Sequence, residues 1–244
     1  MEGEGPLPEN PEILLPFPEG SRFAIFLKRE KRFLVQVRTV DGDLWVHCNN
    51  SGSMVGLLRP GSTVLISPAR SKGRRLSFTL ELVQSNGIWV GVNTLVPNRI
   101  LRRAWEKGLI PELREYRSIH SEVRIGSSRI DALFTAPGKR LWVEAKNVTL
   151  VEADVAYFPD AATKRGQRHL EELLALSSEG EEAACFYLIQ REDAMCFRPA
   201  EFIDERYAIL FRKALDAGIQ IWPYVARIST KGISLGKRVR VLGG

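Results

Sequence analysis

Histidine and cysteine are both scarce in this chain, with three of each in 244 residues. Cys48, Cys185 and Cys196 stand far apart. No Cys-x-x-Cys pair and no Cys/His cluster with zinc-ligand spacing occurs, which excludes the common structural zinc modules. Three scattered cysteines also exclude a disulfide-stapled scaffold and fit a reducing compartment. No apolar run approaches the ~20 residues of a membrane-spanning helix. The first 20 residues contain no lysine or arginine, so they do not read as a signal peptide. The expectation is a cytoplasmic protein with no membrane partner. There is no internal repeat.

What the sequence does have is basic charge, unevenly spread. The formal net charge is +6. Residues 1–20 hold five glutamates, Glu2, Glu4, Glu9, Glu12 and Glu19, so the rest of the chain carries +11. Its cations cluster at Lys28-Arg29 with Lys31-Arg32, at Arg70-Lys72-Arg74-Arg75, at Arg99-Arg102-Arg103 and at Lys164-Arg165-Arg168. Such a surface attracts polyanions, and nucleic acid is the first candidate partner.

Periodicity divides the chain into three parts. Residues 1–20, rich in Pro, Gly and Glu, read as an acidic flexible arm. Residues 21–93 alternate strand after strand, at 22–27, 33–40, 44–47, 63–67, 76–83 and 88–92. Asp41-Gly42, Arg59-Pro60-Gly61 and Asn86-Gly87 serve as turns. That pattern predicts a small closed β-barrel of the OB kind. Residues 94–244 change period. They predict a helix at 98–107, strands at 116–125, 129–135 and 141–146, a helix at 163–176, a buried strand at 183–190, a helix at 204–217 and a strand at 219–228. The second unit is therefore α/β.

The chemistry concentrates in two of these strands, Ser128-Arg129-Ile130-Asp131-Ala132-Leu133 and Leu141-Trp142-Val143-Glu144-Ala145-Lys146-Asn147. A period of two sets Trp142, Glu144 and Lys146 on one face and Val143 and Ala145 on the other. Two carboxylates beside an ammonium suit a hard divalent cation and phosphodiester chemistry. The same D…ExK spacing also occurs on the wet face of edge strands, but apolar flanks at Ile130, Leu133, Leu141 and Val143 predict a buried central strand. Glu122, on the strand-like run before, adds a third carboxylate. A helix, a meander bearing Asp and then Glu-x-Lys, a helix and a strand match the restriction-endonuclease-like PD-(D/E)xK core. On that reading Asp131 and Glu144 ligate Mg²⁺ or Mn²⁺, Lys146 orients the attacking water, and Glu122 assists.

The nucleic-acid contacts expected alongside are Arg74, Arg75, Arg129, Lys164, Arg165, Gln167 and Arg168. On the helix from Thr163, Lys164, Arg168 and Glu171 share one face that can run along a phosphate backbone or toward the metal pocket. Asp160 and Thr163 are candidates for its N-terminal cap. His169, with no cysteine or second histidine near it in sequence, reads as a packing or hydrogen-bonding residue. Phe33, Trp45 and His47, set among Arg22, Lys31, Arg32, Arg74 and Arg75, offer base-stacking surfaces, although aromatics on strands also serve as core.

Longer motifs carry a resemblance. Val143-Glu144-Ala145-Lys146-Asn147-Val148-Thr149-Leu150 and the run from Phe158-Pro159-Asp160-Ala161-Ala162-Thr163-Lys164-Arg165-Gly166 to Leu173 are similar to the sugar fermentation stimulation protein A family. Leu58-Arg59-Pro60-Gly61-Ser62, Val92-Asn93-Thr94, Pro97-Asn98 and Gln190-Arg191-Glu192-Asp193 extend it over roughly residues 21–230. Ala145 stands where the family has Val, which leaves Glu144 and Lys146 intact. The resemblance implies an OB-like domain followed by a nuclease-like domain, with DNA binding, single- or double-stranded, as the attributed activity. It also implies a role in regulating sugar (maltose) metabolism, and leaves catalysis unsettled. The absence of a helix-turn-helix signature points away from sequence-specific readout. The oligomeric state is open between monomer and homodimer.

Overall fold

The computed structural model describes residues 12–54, 56–69, 75–126 and 128–243. Strand β1 (Leu15–Pro16) comes first in chain order, ahead of a barrel built from five strands. These are β2 (Arg22–Glu30), β3 (Leu34–Thr39), β4 (Gly42–His47), β5 (Thr63–Pro68) and β6 (Phe78–Ser85), with β7 (Ile88–Gly91) added at the edge of β6. The order is β4-β3-β2-β5-β6-β7, and a parallel β4–β6 contact at His47–Thr79 closes the barrel. Alternating apolar residues fill it: Phe26, Val35, Val37, Val46, Val64, Ile66, Leu80 and Val83 are all buried. This is the OB topology expected, with closure removing the exposed strand edges.

The β2–β3 turn departs from easy backbone geometry. Lys31 and Arg32 both adopt positive φ, 47° and 60°, a region that side-chain-bearing residues enter at a cost.

The second unit is a seven-stranded mixed sheet with helices on both faces. Its strands are β8 (Ser118–Ile125), β9 (Ser128–Ala136), β10 (Lys139–Val148), β13 (Glu182–Ile189), β15 (Gln220–Ser229) and β16 (Gly232–Arg238), in the order β1-β16-β15-β13-β10-β9-β8. Helix α1 (Val96–Glu106) packs Val96, Ile100, Leu101 and Ala104 on one face, against Phe134, Val143, Phe186 and Trp222. Helices α2 (Lys164–Ser178) and α3 (Glu205–Asp216) cover the other, where Leu170, Leu173, Tyr207 and Phe211 meet Trp142, Cys185 and Tyr187. β10 and β13 are buried on both sides, which is why their sequences read as near-continuous apolar runs. A small sheet that the periodicity did not reveal joins β11 (Leu150–Glu152), β12 (Val155–Phe158), β14 (Cys196–Pro199) and β17 (Arg240–Val241). Its strands are two to four residues long, too short to show a period.

The flexible-arm expectation needs correcting for residues 12–20. Leu15 pairs with Ile233 of β16, Leu14 and Leu15 are buried in the sheet core, and Glu12 ion-pairs with Lys107. Three apolar residues in Ile13-Leu14-Leu15 outweigh the neighbouring prolines, because Pro16 sits on an edge strand where a missing N–H costs little. Residues 1–11, with Glu2, Glu4 and Glu9, lie outside the described residues.

Backbone and side-chain bonds tie the barrel to the sheet. Gly91 N–H donates to Gln190 O at 2.8 Å, and Gln190 Nε2 donates to Asn93 O at 3.1 Å. A Cβ on Gly91 would stand 2.2 Å from Gln190 Oε1, so a larger residue there would force the Gln190 side chain to move. Asn93 in turn donates to buried Glu81 at 2.9 Å, and Ser67 donates to the other Glu81 oxygen at 2.6 Å.

Candidate metal and nucleic-acid cleft

The β9–β10 ladder ends at Ala132–Val143. Beyond it the strands part, and Ala145 N–H would have no partner. Asp131 Oδ2 supplies one, accepting from Ala145 N–H at 2.9 Å. Its other oxygen accepts from Asn98 Nδ2, on the first turn of α1, at 2.8 Å. The strand divergence therefore holds a carboxylate in a fixed orientation beside the Glu-x-Lys of β10.

Glu144 is 2% exposed. One of its oxygens, Oε1, accepts from Lys146 Nζ at 2.5 Å and is also bonded to His169 Nδ1 from α2. Lys146 Nζ and His169 Nδ1 lie 3.1 Å apart. The other oxygen, Oε2, is buried with no hydrogen-bond partner among the described residues. A buried carboxylate oxygen without a donor is costly unless a cation or water meets it.

The two carboxylates titrate in opposite directions. Burial pushes Asp131 up to about 6, helped by the nearby charge of Glu144 and opposed by Lys146. Burial also pushes Glu144 upward, but the Lys146 charge and the His169 hydrogen bond outweigh it and hold Glu144 at about 2. Burial and like-charge repulsion at Asp131, together with a donor-free oxygen at Glu144, are what a hard divalent cation would relieve. The donor set fits such a cation. No group of three or more His, Cys, Asp or Glu assembles among the described residues. Two carboxylates with waters completing the shell is the style of Mg²⁺ rather than of zinc.

These groups line a cleft of about 750 Å³ between the barrel and the sheet. The barrel contributes Arg29, Arg32 and the 50–53 loop; the sheet side contributes Asn98, Glu122, Asp131, Glu144, Lys146 and Arg165. Across the cleft, Asp160 Oδ2 accepts from Met54 N–H at 3.0 Å, and Ser53 Oγ donates to Asp160 O. A Cβ on Gly52 would stand 2.6 Å from Asp160 Oδ1, so a larger residue there would have to displace the bridging carboxylate. Asp160 thus joins the two units and does not cap α2; Thr163 does, accepting from Gly166 N–H at 3.0 Å.

The structure sorts the remaining expected residues. Glu122 lines the cleft with positive φ, exposed, 3.5 Å from Arg129, an ion pair worth little at such exposure. Arg165 lines the cleft and reaches His169 Nε2 at 3.4 Å. On the cleft side of α2 are thus Arg165, which lines the cleft, and His169 one turn on, bonded to Glu144, whereas Lys164, Arg168 and Glu171 are not in the lining. Lys164 and Arg168 are exposed, and Glu171 pairs with Arg206 of α3. Arg75 is exposed away from the cleft lining, and Arg74 lies outside the described residues.

Gln167 is not a free nucleic-acid contact. Its amide donates to both oxygens of Asp204 at 2.8 and 3.1 Å. Asp204 is buried, caps α3 through Tyr207 N–H at 2.9 Å and accepts from Thr163 N–H at 2.8 Å. Three donors would be orphaned together in Asp204→Ala, which is expected to cost about 2–4 kcal/mol by the scale for buried unsatisfied groups. Chemical denaturation checks it.

Asn98 is a site residue that the sequence did not single out for a role; Arg32 was named only among the cations around Phe33, and His169 was read as a packing or hydrogen-bonding residue, which it is, but without its partner Glu144. The signal for His169 was its place four residues after Arg165 on one helix face. No local pattern ties Asn98 to Asp131, 33 residues away.

Comparison with known proteins bears on the two-domain architecture. A family model described as the sugar fermentation stimulation protein RE domain matches residues 95–232, and one described as the SfsA N-terminal OB domain matches residues 27–92. A sugar fermentation stimulation protein homolog of Syntrophobacter fumaroxidans is 55% identical over 236 residues, covering 97% of this chain and 90% of the relative. A homolog in Maridesulfovibrio salexigens is 50% identical over 232 residues, covering 93% and 97%. A solved structure of Pyrococcus furiosus SfsA in complex with Ca²⁺ superposes with a TM-score of 0.88 at 28% identity, covering 94% of this chain and 99% of that one. No helix among the described residues is long and apolar enough to cross a membrane.

Proposed function

The chain belongs to the sugar fermentation stimulation protein family, and on that footing we propose that it binds DNA and cleaves phosphodiester bonds with a divalent cation held by Asp131 and Glu144. The observation that carries the reading is the donor-free Glu144 Oε2, buried beside a second carboxylate at the floor of a cleft. The Pyrococcus furiosus relative was solved with Ca²⁺, a cation with the same preference for oxygen ligands, which supports this reading. When bound, Mg²⁺ or Mn²⁺ would polarise a phosphoryl oxygen and lower the pKa of a coordinated water.

The protein's own residues do the rest. Asn98 and the Ala145 N–H fix the Asp131 carboxylate, so that it need not reorganise as charge develops. Lys146 carries a positive charge at the cleft floor, 11% exposed, where it offsets negative charge building on phosphate oxygens. His169 Nδ1 donates to Glu144 from behind, with Lys146 Nζ on the same Glu144 oxygen, so its role is to position that carboxylate. Contacts to DNA run mainly to phosphates, which makes affinity weakly sequence-dependent and strongly salt-dependent.

The test is purified protein on linear, nicked and single-stranded DNA, with Mg²⁺, Mn²⁺ or EDTA. Metal-dependent cleavage lost in Asp131→Ala is the expected result. Binding of that variant in EDTA is expected to equal or exceed wild type, since a negative charge leaves the phosphate path; anisotropy titration checks it. If no divalent metal supports cleavage, the reading that remains is a DNA-binding regulator of sugar-utilisation genes.

A further inference from the structure

We propose that the cleft takes a single DNA strand and excludes the duplex, with Arg32 of the barrel gripping a phosphate opposite the carboxylate pair. This rests on the phosphodiester reading of Asp131 and Glu144 and adds the form of the substrate and a binding residue from the other domain.

Three observations carry it. The first is confinement. A cleft of about 750 Å³ has the size of a small-ligand pocket, suited to a nucleotide or two. The 50–54 loop is fastened across it to Asp160, and the domains are joined again at Gly91–Gln190. With one wall tied to the other at Asp160, we take the floor to be within reach of an unpaired strand and out of reach of a double helix.

The second is the use of cations around it. Arg29 is spent on structure: Nε donates to Arg32 O at 2.7 Å, Nη1 to Gly52 O at 3.0 Å and Nη2 to Asn50 O at 2.6 Å. Lys146 is paired with Glu144 at the floor, below the path of the strand's other phosphates. Arg32 lines the cleft with no ion pair or hydrogen bond to its side chain among the described residues, while Arg29 holds its backbone in place. Arg165, engaged among the described residues by a long 3.4 Å contact to His169, stands on the sheet side of the same cleft. A guanidinium without a carboxylate partner, held by its backbone over a metal-type site, is a phosphate ligand in waiting.

The third is strain at the same turn. Arg32 sits at φ 60° directly after Lys31 at 47°, where glycine or asparagine would be at ease. Local stability therefore does not select the arginine. The next residue, Phe33, is 46% exposed with its ring stacked on His47, a platform on which an unpaired base can stack.

The experiment is anisotropy in EDTA with a labelled single-stranded oligodeoxynucleotide, the blunt duplex of the same sequence, and that duplex with a single-stranded overhang. Wild type is expected to bind the single strand and the overhang at least tenfold more tightly than the blunt duplex. Arg32→Gly removes the side chain and relieves the positive φ, so its Tm should be no lower than wild type. Its single-strand affinity should nevertheless fall about tenfold, with the salt slope reduced by about 0.7, the value for one phosphate on a single strand. Arg212→Ala, on the far helix α3, is the surface control and should change neither.

Equal wild-type affinity for strand and blunt duplex would overturn the proposal, as would an Arg32→Gly variant that binds single strands like wild type. Cleavage is scored separately. Arg32-dependent single-strand binding without cleavage in any metal leaves this proposal standing and removes the phosphodiesterase. Cleavage inside blunt duplex, indifferent to Arg32, does the reverse.

Discussion

Lys146→Ala is expected to lose about 3–5 kcal/mol of stability, the scale for removing one partner of a buried ion pair. The Glu144–Lys146 pair is only 3% and 11% exposed, and Glu144 would retain His169 alone. Without the Lys146 charge, burial would drive the Glu144 carboxyl upward from its present value of about 2. A thermal melt reads the first effect. Cleavage is expected to fall at least ~100-fold, the scale for one stabiliser of transition-state charge. A melt alone does not distinguish a structural lysine from a catalytic one, because the geometry makes this residue both a counter-charge and part of the cleft floor. The cation response separates them. The variant leaves a more negative carboxylate pair, so the Tm rise on adding Mn²⁺ should match or exceed that of wild type. Retained metal response with lost cleavage places Lys146 in the chemistry; loss of both reduces it to a structural counter-charge.

Asp131→Asn is expected to move stability the other way. Burial, with Glu144 alongside, raises the folded-state pKa of Asp131 from 3.8 to about 6. A raised carboxylate pKa favours folding while the group is protonated. That contribution is complete below pH 4 and is lost as pH rises through about 6. At about 1.4 kcal/mol per pH unit, ionised Asp131 costs the metal-free protein about 3 kcal/mol at pH 7.5. Asparagine is isosteric and can keep the Ala145 N–H bond, while Asn98 turns its amide to accept from the new donor. The variant should therefore be about 2–3 kcal/mol more stable than wild type at pH 7.5 without divalent metal. The gain should disappear near pH 4. Denaturation at the two pH values checks the sign, and a variant equally or less stable at pH 7.5 would show that Asp131 is not strained by its site. Its cation-induced Tm rise should vanish, since one of the two anionic ligands is gone.

How much of this was legible beforehand follows from the range of each interaction. Barrel strands, the meander and the three helices each announce themselves within a dozen residues, through periods of two or 3.6 and through turn residues. The shared face of Trp142, Glu144 and Lys146 is a local consequence of strand geometry, and the structure keeps it: Trp142 packs under α2 while Val143 and Ala145 face α1. The α2 helix was legible as a helix but not in its rotation. Lys164 and Arg168 form the more conspicuous charged face, yet the residue that lines the cleft is Arg165, with His169 one turn on bonded to Glu144. Gln167 looked like a polar surface residue because the residue that claims it, Asp204, arrives from another helix. The acidic arm misled in a related way. Composition weighed its prolines and glutamates, whereas Leu14 and Leu15 found an open edge at β16 that no local reading contains.

By itself, then, the sequence determined the two architectures, their order, and the strand placement of Asp131, Glu144 and Lys146, the side chains of the proposed chemistry. Periodicity and spacing act over a few residues, and strand pairing at the meander adds only one neighbour. Tertiary structure alone decided what surrounds those side chains. Asn98 on Asp131, His169 on Glu144, and Arg32 in the same cleft lining as both carboxylates come from 25 to more than 100 residues apart in sequence. Each is placed by the docking of one rigid body on another. Such docking depends on buried area and on bonds such as Gly91–Gln190 and Met54–Asp160, which leave no period in the chain.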